Sequence, residues 1–170
     1  MKKIFLIGFM GSGKTTLGKK IASHLQLSFI DMDDYIEQKE GRTISSIFEK
    51  EGEDHFRKLE HVALKELLAM DNVLVSAGGG TPCFFNNMEL INASAQSVYL
   101  KVEPEMLLGR LKSATANRPL LASLSMEELR LQISEKLSYR EPFYMKSKIV
   151  HESAGSPNKD LAELVKILSN

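Results

Sequence analysis

The sequence has little cysteine, no net charge and no long apolar run, and each shortage argues against a class of protein. Its single cysteine, Cys83, cannot form an intrachain disulfide and fits a reducing compartment. The 22 basic and 22 acidic residues cancel, which argues against binding of nucleic acid or an anionic membrane through overall charge. No apolar stretch approaches the roughly 20 residues of a transmembrane helix. We therefore expect a cytoplasmic protein with neither nucleic acid nor membrane among its partners, and we interpret Cys83 as a packing residue.

Length and patterning predict one α/β domain over residues 1–170. Hydrophobic residues make up 43% of the chain and charged residues 26%, as in ordinary globular domains. Short apolar runs, typical of buried parallel strands, occupy 4–7, 27–30, 73–75, 98–100 and 149–150. Helical patterns lie between them, over 16–25, 33–39, 43–50, 53–70, 104–112, 126–139 and from 157 onward. This alternation predicts a parallel sheet covered by helices on both faces.

Turn residues predict several boundaries between these elements. Gly41 should end one helix, and Thr43 should cap the next. Gly52 should break that helix from the one that follows. Near the C-terminus, a helix should end at about Tyr139, and Pro142 should open a short turn.

The stretch from Gly8 to Thr15 reads G-x-x-x-x-G-K-T and directly follows the first apolar run. A strand, a glycine-rich turn and a helix in this order are typical of a loop that binds nucleotide phosphates. Its backbone N–H groups can point inward, and the helix N-terminus adds a positive dipole. Lys14 can reach the β- and γ-phosphates, and the Thr15 hydroxyl can bind Mg²⁺. The predicted nucleotide-binding residues are Gly11, Ser12, Gly13, Lys14, Thr15 and Thr16.

Two carboxylates, Asp31 and Asp33, follow the second predicted strand. Ligands of parallel sheets bind beyond the carboxyl ends of the strands, so both should face the phosphate loop. One carboxylate near Thr15 can complete a Mg²⁺ shell through water, and the other can accept a proton from an attacking hydroxyl. In an extended strand end, both side chains would project from the same face. The neighbouring Asp34 is interpreted as part of an acidic helix N-terminus.

The third strand ends in Gly78-Gly79-Gly80, which lets the backbone approach a ligand closely. Tight packing of strand against helix is the alternative interpretation. A loop over 113–123 is long for a compact domain and is typical of a lid. Its arginine, Arg118, can reach a transferring phosphoryl group.

Two further arginines have open interpretations. Arg57 can pair with Asp54 and Glu60 on a helix surface, or it can bind an anionic ligand. Arg140 can be a favourable charge at a helix C-terminus and nothing more. The residues alone do not decide between these possibilities.

Taken in order, these motifs resemble the shikimate kinase family. The resemblance rests on Gly8 to Thr15, Asp31 with Asp33, Phe56-Arg57 followed by Glu60, Gly78-Gly79-Gly80, Arg118-Pro119-Leu120, and Arg140 near Tyr144. It implies a three-layer α/β/α sandwich of the P-loop NTPase type, similar to nucleoside monophosphate kinases. It also implies a five-stranded parallel sheet in the order 2-3-1-4-5, a shikimate-binding segment over 32–60 and a lid over 112–124.

The resemblance implies a reaction as well. Kinases of this family transfer the γ-phosphoryl group of ATP to the 3-hydroxyl of shikimate, giving shikimate 3-phosphate and ADP in aromatic amino acid biosynthesis. The phosphate loop, Arg110, Arg118 and Pro157 would hold ATP. Mg²⁺ would be bound by Thr15 directly and by Asp31 through water. The chain would act as a monomer.

The same resemblance implies the substrate contacts. The implied shikimate-binding residues are Asp33, Phe48, Phe56, Arg57, Gly78, Gly79, Gly80 and Arg140. Ile44 would join the apolar wall of the pocket, and Glu60 would orient Arg57. The catalytic residues would be Asp33 as the general base, with Lys14 and Arg118 acting on the phosphates.

Two other functions stay open at this level. The first is a gluconate or nucleoside monophosphate kinase of the same fold, although a nucleotide acceptor would need more arginines around a second phosphate. The second is a non-catalytic NTP-binding protein, which would leave the Arg57 and Arg140 pair without a purpose. The third strand ends in Ser76 instead of the aspartate of a Walker B motif, so the metal site should depend more on water and Asp31.

Overall fold

A parallel sheet of five strands forms the centre of the computed structural model, which describes residues 1–113 and 124–169. The strands are β1 Lys3–Ile7, β2 Ser28–Asp31, β3 Val73–Ser76, β4 Gln96–Lys101 and β5 Ile149–Glu152. They lie in the order β2-β3-β1-β4-β5, and every neighbouring pair is parallel. The predicted parallel sheet and the strand order implied by the resemblance are both confirmed.

Helices follow each strand and cover both faces of the sheet. They are α1 Lys14–Leu25, α2 Met32–Glu40, α3 Ile44–Ala69, α4 Asn87–Ser94, α5 Pro104–Ser113, α6 Met126–Tyr144 and α7 Pro157–Ser169. A short 3₁₀ turn, Thr81–Cys83, follows the third strand. No helix in the described part of the chain is long and apolar enough to cross a membrane.

Strand β1 shows how the layers are built, because its side chains alternate between the two faces. Phe5 and Ile7 lie in the larger apolar cluster, which also contains buried residues of α2, α3, α5 and α6. Ile4 and Leu6 lie in the smaller cluster, against α1 and α7. All four side chains are fully buried, so β1 sits at the centre of a three-layer sandwich. Cys83 is buried in the larger cluster, as its packing interpretation predicts.

The predicted boundaries around α2 and α3 are confirmed. Gly41 ends α2 with a φ of 66°, a left-handed conformation that glycine adopts without strain. The Thr43 hydroxyl caps α3 by accepting a hydrogen bond from the Ser46 N–H at 3.2 Å. Gly52 has a φ of 80° and interrupts α3 with a non-helical residue.

Two helix predictions were wrong or incomplete. Helix α6 was expected to end near Tyr139, but it continues through Pro142 to Tyr144. Proline costs a helix about 3 kcal/mol, yet the fully buried Tyr144 side chain anchors the last turn in the core. Helix α4 was not predicted. Its eight residues are too few to show a clear helical spacing of apolar residues, although Met88 and Ile91 are buried.

Candidate active site

The phosphate loop joins β1 to α1, as the sequence predicts. Gly11 and Gly13 adopt φ values of 79° and 93°, which side chains rarely tolerate. Gly13 is the N-cap of α1 and has no side chain of its own to cap the helix. The N–H groups of the first turn therefore face the mouth of the loop with the positive end of the helix dipole, which suits an anion.

Lys14 and Arg110 bracket this loop. The Lys14 ammonium donates hydrogen bonds to the Gly8 carbonyl at 2.8 Å and to the Phe9 carbonyl at 3.1 Å. The Arg110 guanidinium donates from α5 to the carbonyls of Gly11 at 3.3 Å and Ser12 at 3.2 Å. Both cations therefore lie against the loop, where they add positive charge to a phosphate site.

Thr15 and Asp31 lie together at the ends of α1 and β2. The Thr15 hydroxyl donates a hydrogen bond of 2.7 Å to Asp31 Oδ2. The other Asp31 oxygen accepts from the Asp33 N–H at 3.1 Å, because Asp31 is the N-cap of α2. The two predicted Mg²⁺ ligands thus present hard oxygen atoms at one place beside the phosphate loop.

The expected position of Asp33 was wrong in one respect. It lies in the first turn of α2 and not on an extended strand end. Its carboxylate still lines the cleft. The side chain is exposed to solvent there, yet desolvation by the surrounding cleft walls raises its pKa to about 6, with the charges of Asp31 and Glu60 acting in the same direction. Lys14 opposes this shift. Asp33 is therefore a carboxylate with a proton affinity suited to general-base chemistry near neutral pH.

Each glycine of the Gly78–Gly80 triplet lies against a charged group. A Cβ atom at Gly78 would lie 2.9 Å from Glu60 Oε1 and 3.1 Å from Asp33 Oδ1. At Gly79 it would lie 3.1 Å from Arg140 Nη1, and at Gly80 only 2.5 Å from Arg57 Nη1. The triplet therefore lets four charged side chains approach the backbone, and its close approach to a ligand stays a prediction.

Arg57 is buried and held from two sides. Its Nη1 donates to Glu60 Oε2 at 2.9 Å, and its Nη2 donates to Glu53 Oε1 at 2.9 Å. Glu60 is 1% exposed and also accepts from the Thr81 hydroxyl at 2.6 Å. Burial alone would lower the pKa of Arg57, but the two carboxylates outweigh that effect and raise it. The expected pairing of Arg57 with Asp54 was wrong, because Arg57 pairs with Glu53 instead.

Arg140 reaches the same region from α6. Its guanidinium lies over the Phe9 ring, 5.7 Å from the centroid, and close to Gly79. Two arginines from distant parts of the chain, Arg57 and Arg140, therefore line one cleft. Because α6 continues to Tyr144, Arg140 lies before the last turn of the helix, and its role in binding stays a prediction.

The cleft has a volume of about 940 Å³. Ile44 and Phe56 line it, as predicted, whereas Phe48 is exposed and packs against Phe56 with ring centroids 4.8 Å apart. Gln132 and Lys136 also line the cleft from α6 and were not predicted. They precede Arg140 by eight and four residues, so the spacing of one helical face was a signal that could have found them.

A second, smaller cavity of about 270 Å³ lies on the other side of the phosphate loop. Thr16, Arg110 and Pro157 line it, and they are three of the predicted ATP-binding residues. Arg118 and most of the predicted lid, 112–124, lie outside the described residues. The two cavities together with the loop between them have the layout expected for a nucleotide and a second substrate.

Comparison with known proteins identifies the family. The family model described as shikimate kinase matches residues 10–169. The chain belongs to the shikimate kinase family. A shikimate kinase of Parabacteroides distasonis is 49% identical over 153 residues, which cover 90% of this chain and 88% of the relative. The chain is accordingly an ATP-dependent kinase of this family, and neither alternative function is favoured.

Solved structures of the family agree with this fold. The shikimate kinase of Bacteroides thetaiotaomicron has a TM-score of 0.93 at 38% identity and covers 99% of both chains. A shikimate kinase of Acinetobacter baumannii in complex with shikimate has a TM-score of 0.86 at 36% identity, covering 100% of this chain and 94% of that one. A gluconokinase of Sinorhizobium meliloti 1021 covers 99% of this chain and 91% of its own, with a TM-score of 0.63, but at 18% identity it shares the fold alone.

Proposed function

We propose that this chain transfers the γ-phosphoryl group of ATP to the 3-hydroxyl of shikimate, giving shikimate 3-phosphate and ADP. The observation that carries the proposal is one cleft that joins the phosphate loop to two arginines and to Asp33. A phosphate-binding loop alone serves many reactions. Two guanidinium groups in the same cleft favour a substrate with a carboxylate, and the carboxylate of Asp33 favours a substrate with a hydroxyl.

Arg57 and Arg140 would bind the carboxylate of shikimate. Guanidinium groups donate in a planar fork that matches a carboxylate, and the ion pairs of Arg57 with Glu53 and Glu60 hold that fork in one orientation. The backbone of Gly78, Gly79 and Gly80 would contact the same substrate. Phe56 and Ile44 would cover the apolar part of the ring, with Phe48 supporting Phe56 from outside.

The loop residues Gly11, Ser12, Gly13, Lys14 and Thr15 would hold the phosphates of ATP. Thr16, Arg110 and Pro157, which line the second cavity, would hold the nucleoside end. Arg118 would add a further cation at the transferring group. Because Lys14 already lies over the loop, its charge would oppose the charge that develops on the phosphoryl oxygens.

Thr15 and Asp31 would form the magnesium site. The residues fit this ion, because their hydroxyl and carboxylate oxygens lie 2.7 Å apart beside the phosphate loop. Among the described residues no group of three or more His, Cys, Asp or Glu side chains could hold a metal alone. That agrees with Mg²⁺, which usually keeps waters and phosphate oxygens in its shell. When bound, the ion would neutralise phosphate charge.

Asp33 would accept the proton of the attacking hydroxyl. Its carboxylate lies in the cleft near Gly78 and has its pKa raised to about 6 by burial and by Asp31 and Glu60. A base with this proton affinity is ionised at neutral pH and still binds a proton well. In a loose phosphoryl transfer, the same contact would serve mainly to position the hydroxyl. We also propose that the chain acts as a monomer in the cytoplasm, where a reducing environment suits its single cysteine.

A coupled assay of ADP release tests the substrate. Shikimate, gluconate, AMP and CMP are offered in turn with MgATP to the purified chain. Shikimate should be the fastest acceptor, because it combines one carboxylate with several hydroxyls. Faster turnover of gluconate or of a nucleotide would contradict the proposal.

A further inference from the structure

A tyrosine on α6 holds the glycine triplet from outside the cleft. Tyr144 is fully buried, and its hydroxyl donates a hydrogen bond of 2.5 Å to the Gly79 carbonyl, 65 residues away in the chain. Its ring packs on Tyr99 with centroids 5.1 Å apart. Burial raises the pKa of Tyr144, which keeps the hydroxyl protonated as a donor.

The three glycine carbonyls of the triplet are restrained in different ways. The Gly78 carbonyl accepts from the Thr81 N–H at 3.1 Å, and the Gly80 carbonyl accepts from the Cys83 N–H at 2.9 Å. These are local bonds of the turn that follows β3. The Gly79 carbonyl instead accepts from the Tyr144 side chain. Because glycine backbone rotates easily, the peptide between Gly79 and Gly80 depends on this bond for its orientation.

The same peptide plane carries the Gly80 N–H. In a trans peptide the N–H points opposite to the preceding carbonyl, and the described chain contains no cis peptide. Fixing the Gly79 carbonyl on Tyr144 therefore turns the Gly80 N–H away from α6. Gly79 and Gly80 both line the cleft, between Arg140 on one side and Arg57 on the other.

We propose that Tyr144 is a positioning residue for the acceptor substrate, because its hydroxyl orients the Gly79–Gly80 peptide so that the Gly80 N–H donates to that substrate. The proposal rests on the proposed function, in which the triplet backbone contacts shikimate. Arg140 lies one helical turn before Tyr144, so α6 delivers a direct substrate contact and the restraint on the backbone from the same face.

Kinetics of Tyr144→Phe test this role. The variant keeps the ring and its packing but loses the hydroxyl. We expect KM for shikimate to rise about two- to tenfold, the range of one neutral hydrogen bond, while KM for MgATP stays unchanged. Tyr99→Phe is the matched control, since it removes the hydroxyl of the stacked neighbour outside the cleft, and both KM values should stay at the wild-type level.

Two results of this experiment would overturn the proposal. An unchanged KM for shikimate would show that the hydroxyl has no influence on the substrate. A parallel rise of both KM values with a lower melting temperature would assign Tyr144 to core packing alone. A wild-type chain without shikimate kinase activity would instead contradict the proposed function. The failure of the proposed function can therefore be distinguished from the failure of the role of Tyr144.

A second measurement needs no Tyr144 variant. Wild-type protein labelled with ¹⁵N-glycine contains 11 glycines, and Gly80→Ala identifies the Gly80 amide resonance by its loss. Addition of shikimate should shift that resonance more than the resonance of Gly109, which lies on α5 with open space around it. A Gly80 amide that does not respond to shikimate would overturn the proposal even if Tyr144→Phe failed to fold.

Discussion

Arg57 and Glu60 form a buried ion pair on one face of α3, with Nη1 and Oε2 2.9 Å apart. The pair explains how a guanidinium can face the substrate cleft in a fixed orientation before any ligand binds. The two arginines proposed to bind the carboxylate of shikimate therefore differ in how they are held. Arg140 is not part of such a buried pair in the described residues. Substitutions at the two positions should therefore have different consequences for folding.

Arg57→Ala and Arg140→Ala should both weaken shikimate binding, each by about 1.5–3 kcal/mol for a lost charge-assisted contact. Only Arg57→Ala should also lower the free energy of unfolding, by about 3–5 kcal/mol, because it leaves Glu60 buried without its partner. Calorimetry and urea denaturation measure the two effects. Arg130→Ala is the control on α6, since Arg130 forms an exposed pair with Glu105. If Arg57→Ala or Arg140→Ala bound shikimate with wild-type affinity, that arginine would not be a shikimate-binding residue.

Lys14→Met should abolish nearly all phosphoryl transfer. The substitution keeps the length of the side chain but removes the charge that lies over the phosphate loop. Lys19→Met is the matched control on the same helix, where the ammonium lies over the Phe29 ring, 5.8 Å from its centroid. The measurement is kcat at saturating substrates. Activity of Lys14→Met within about tenfold of wild type, or roughly 1.4 kcal/mol of barrier, would contradict this role.

Gly80→Ala should impair shikimate use and should also lower stability. The new Cβ would lie 2.5 Å from Arg57 Nη1 and 2.7 Å from Nη2, so the guanidinium must move. Because that guanidinium is paired with Glu53 and with the buried Glu60, its displacement also disturbs these ion pairs. Gly109→Ala is the control, because it adds the same methyl group to a helix with open space around it. If KM for shikimate were the same in both variants, the close approach of Gly80 to Arg57 would have no functional consequence.

Asp33→Asn should change how stability depends on pH in the ligand-free protein. The pKa of Asp33 is about 6 in the folded chain, above the 3.8 of an unperturbed aspartate, so the folded state binds more protons between these two pH values. Stability from this group is present below pH 3.8 and is lost as pH rises through about 6. Wild type should therefore lose stability relative to Asp33→Asn over this window.

Thermal unfolding at pH 4 and pH 7 measures the effect of Asp33. Asp34→Asn is the control, because it removes an exposed carboxylate of the same helical turn outside the cleft. That variant should keep the wild-type dependence on pH. A pH dependence of Asp33→Asn that runs parallel to wild type would mean that Asp33 does not hold its proton more tightly in the folded chain.

Much of the fold could be read from local pattern. Strand β1, the phosphate loop and the start of α1 were predicted because their conformations depend on neighbours a few residues away. Glycines at Gly41 and Gly52 marked helix boundaries for the same reason, since their left-handed φ angles exclude most other residues. Helix α4 and the continuation of α6 through Pro142 were not predictable in this way, because packing decides them.

The sequence by itself determined which chemical groups are present and where parallel strand ends would bring ligands. The tertiary structure alone decided which groups meet. Asp33 acquires its raised pKa from burial, from its neighbour Asp31 and, to a smaller extent, from Glu60, 27 positions along the chain. Arg140 and Tyr144 meet Gly79 because α6 packs against the 3₁₀ turn that follows β3. Distances between residues so far apart depend on the packing of whole helices, and no local pattern contains that information.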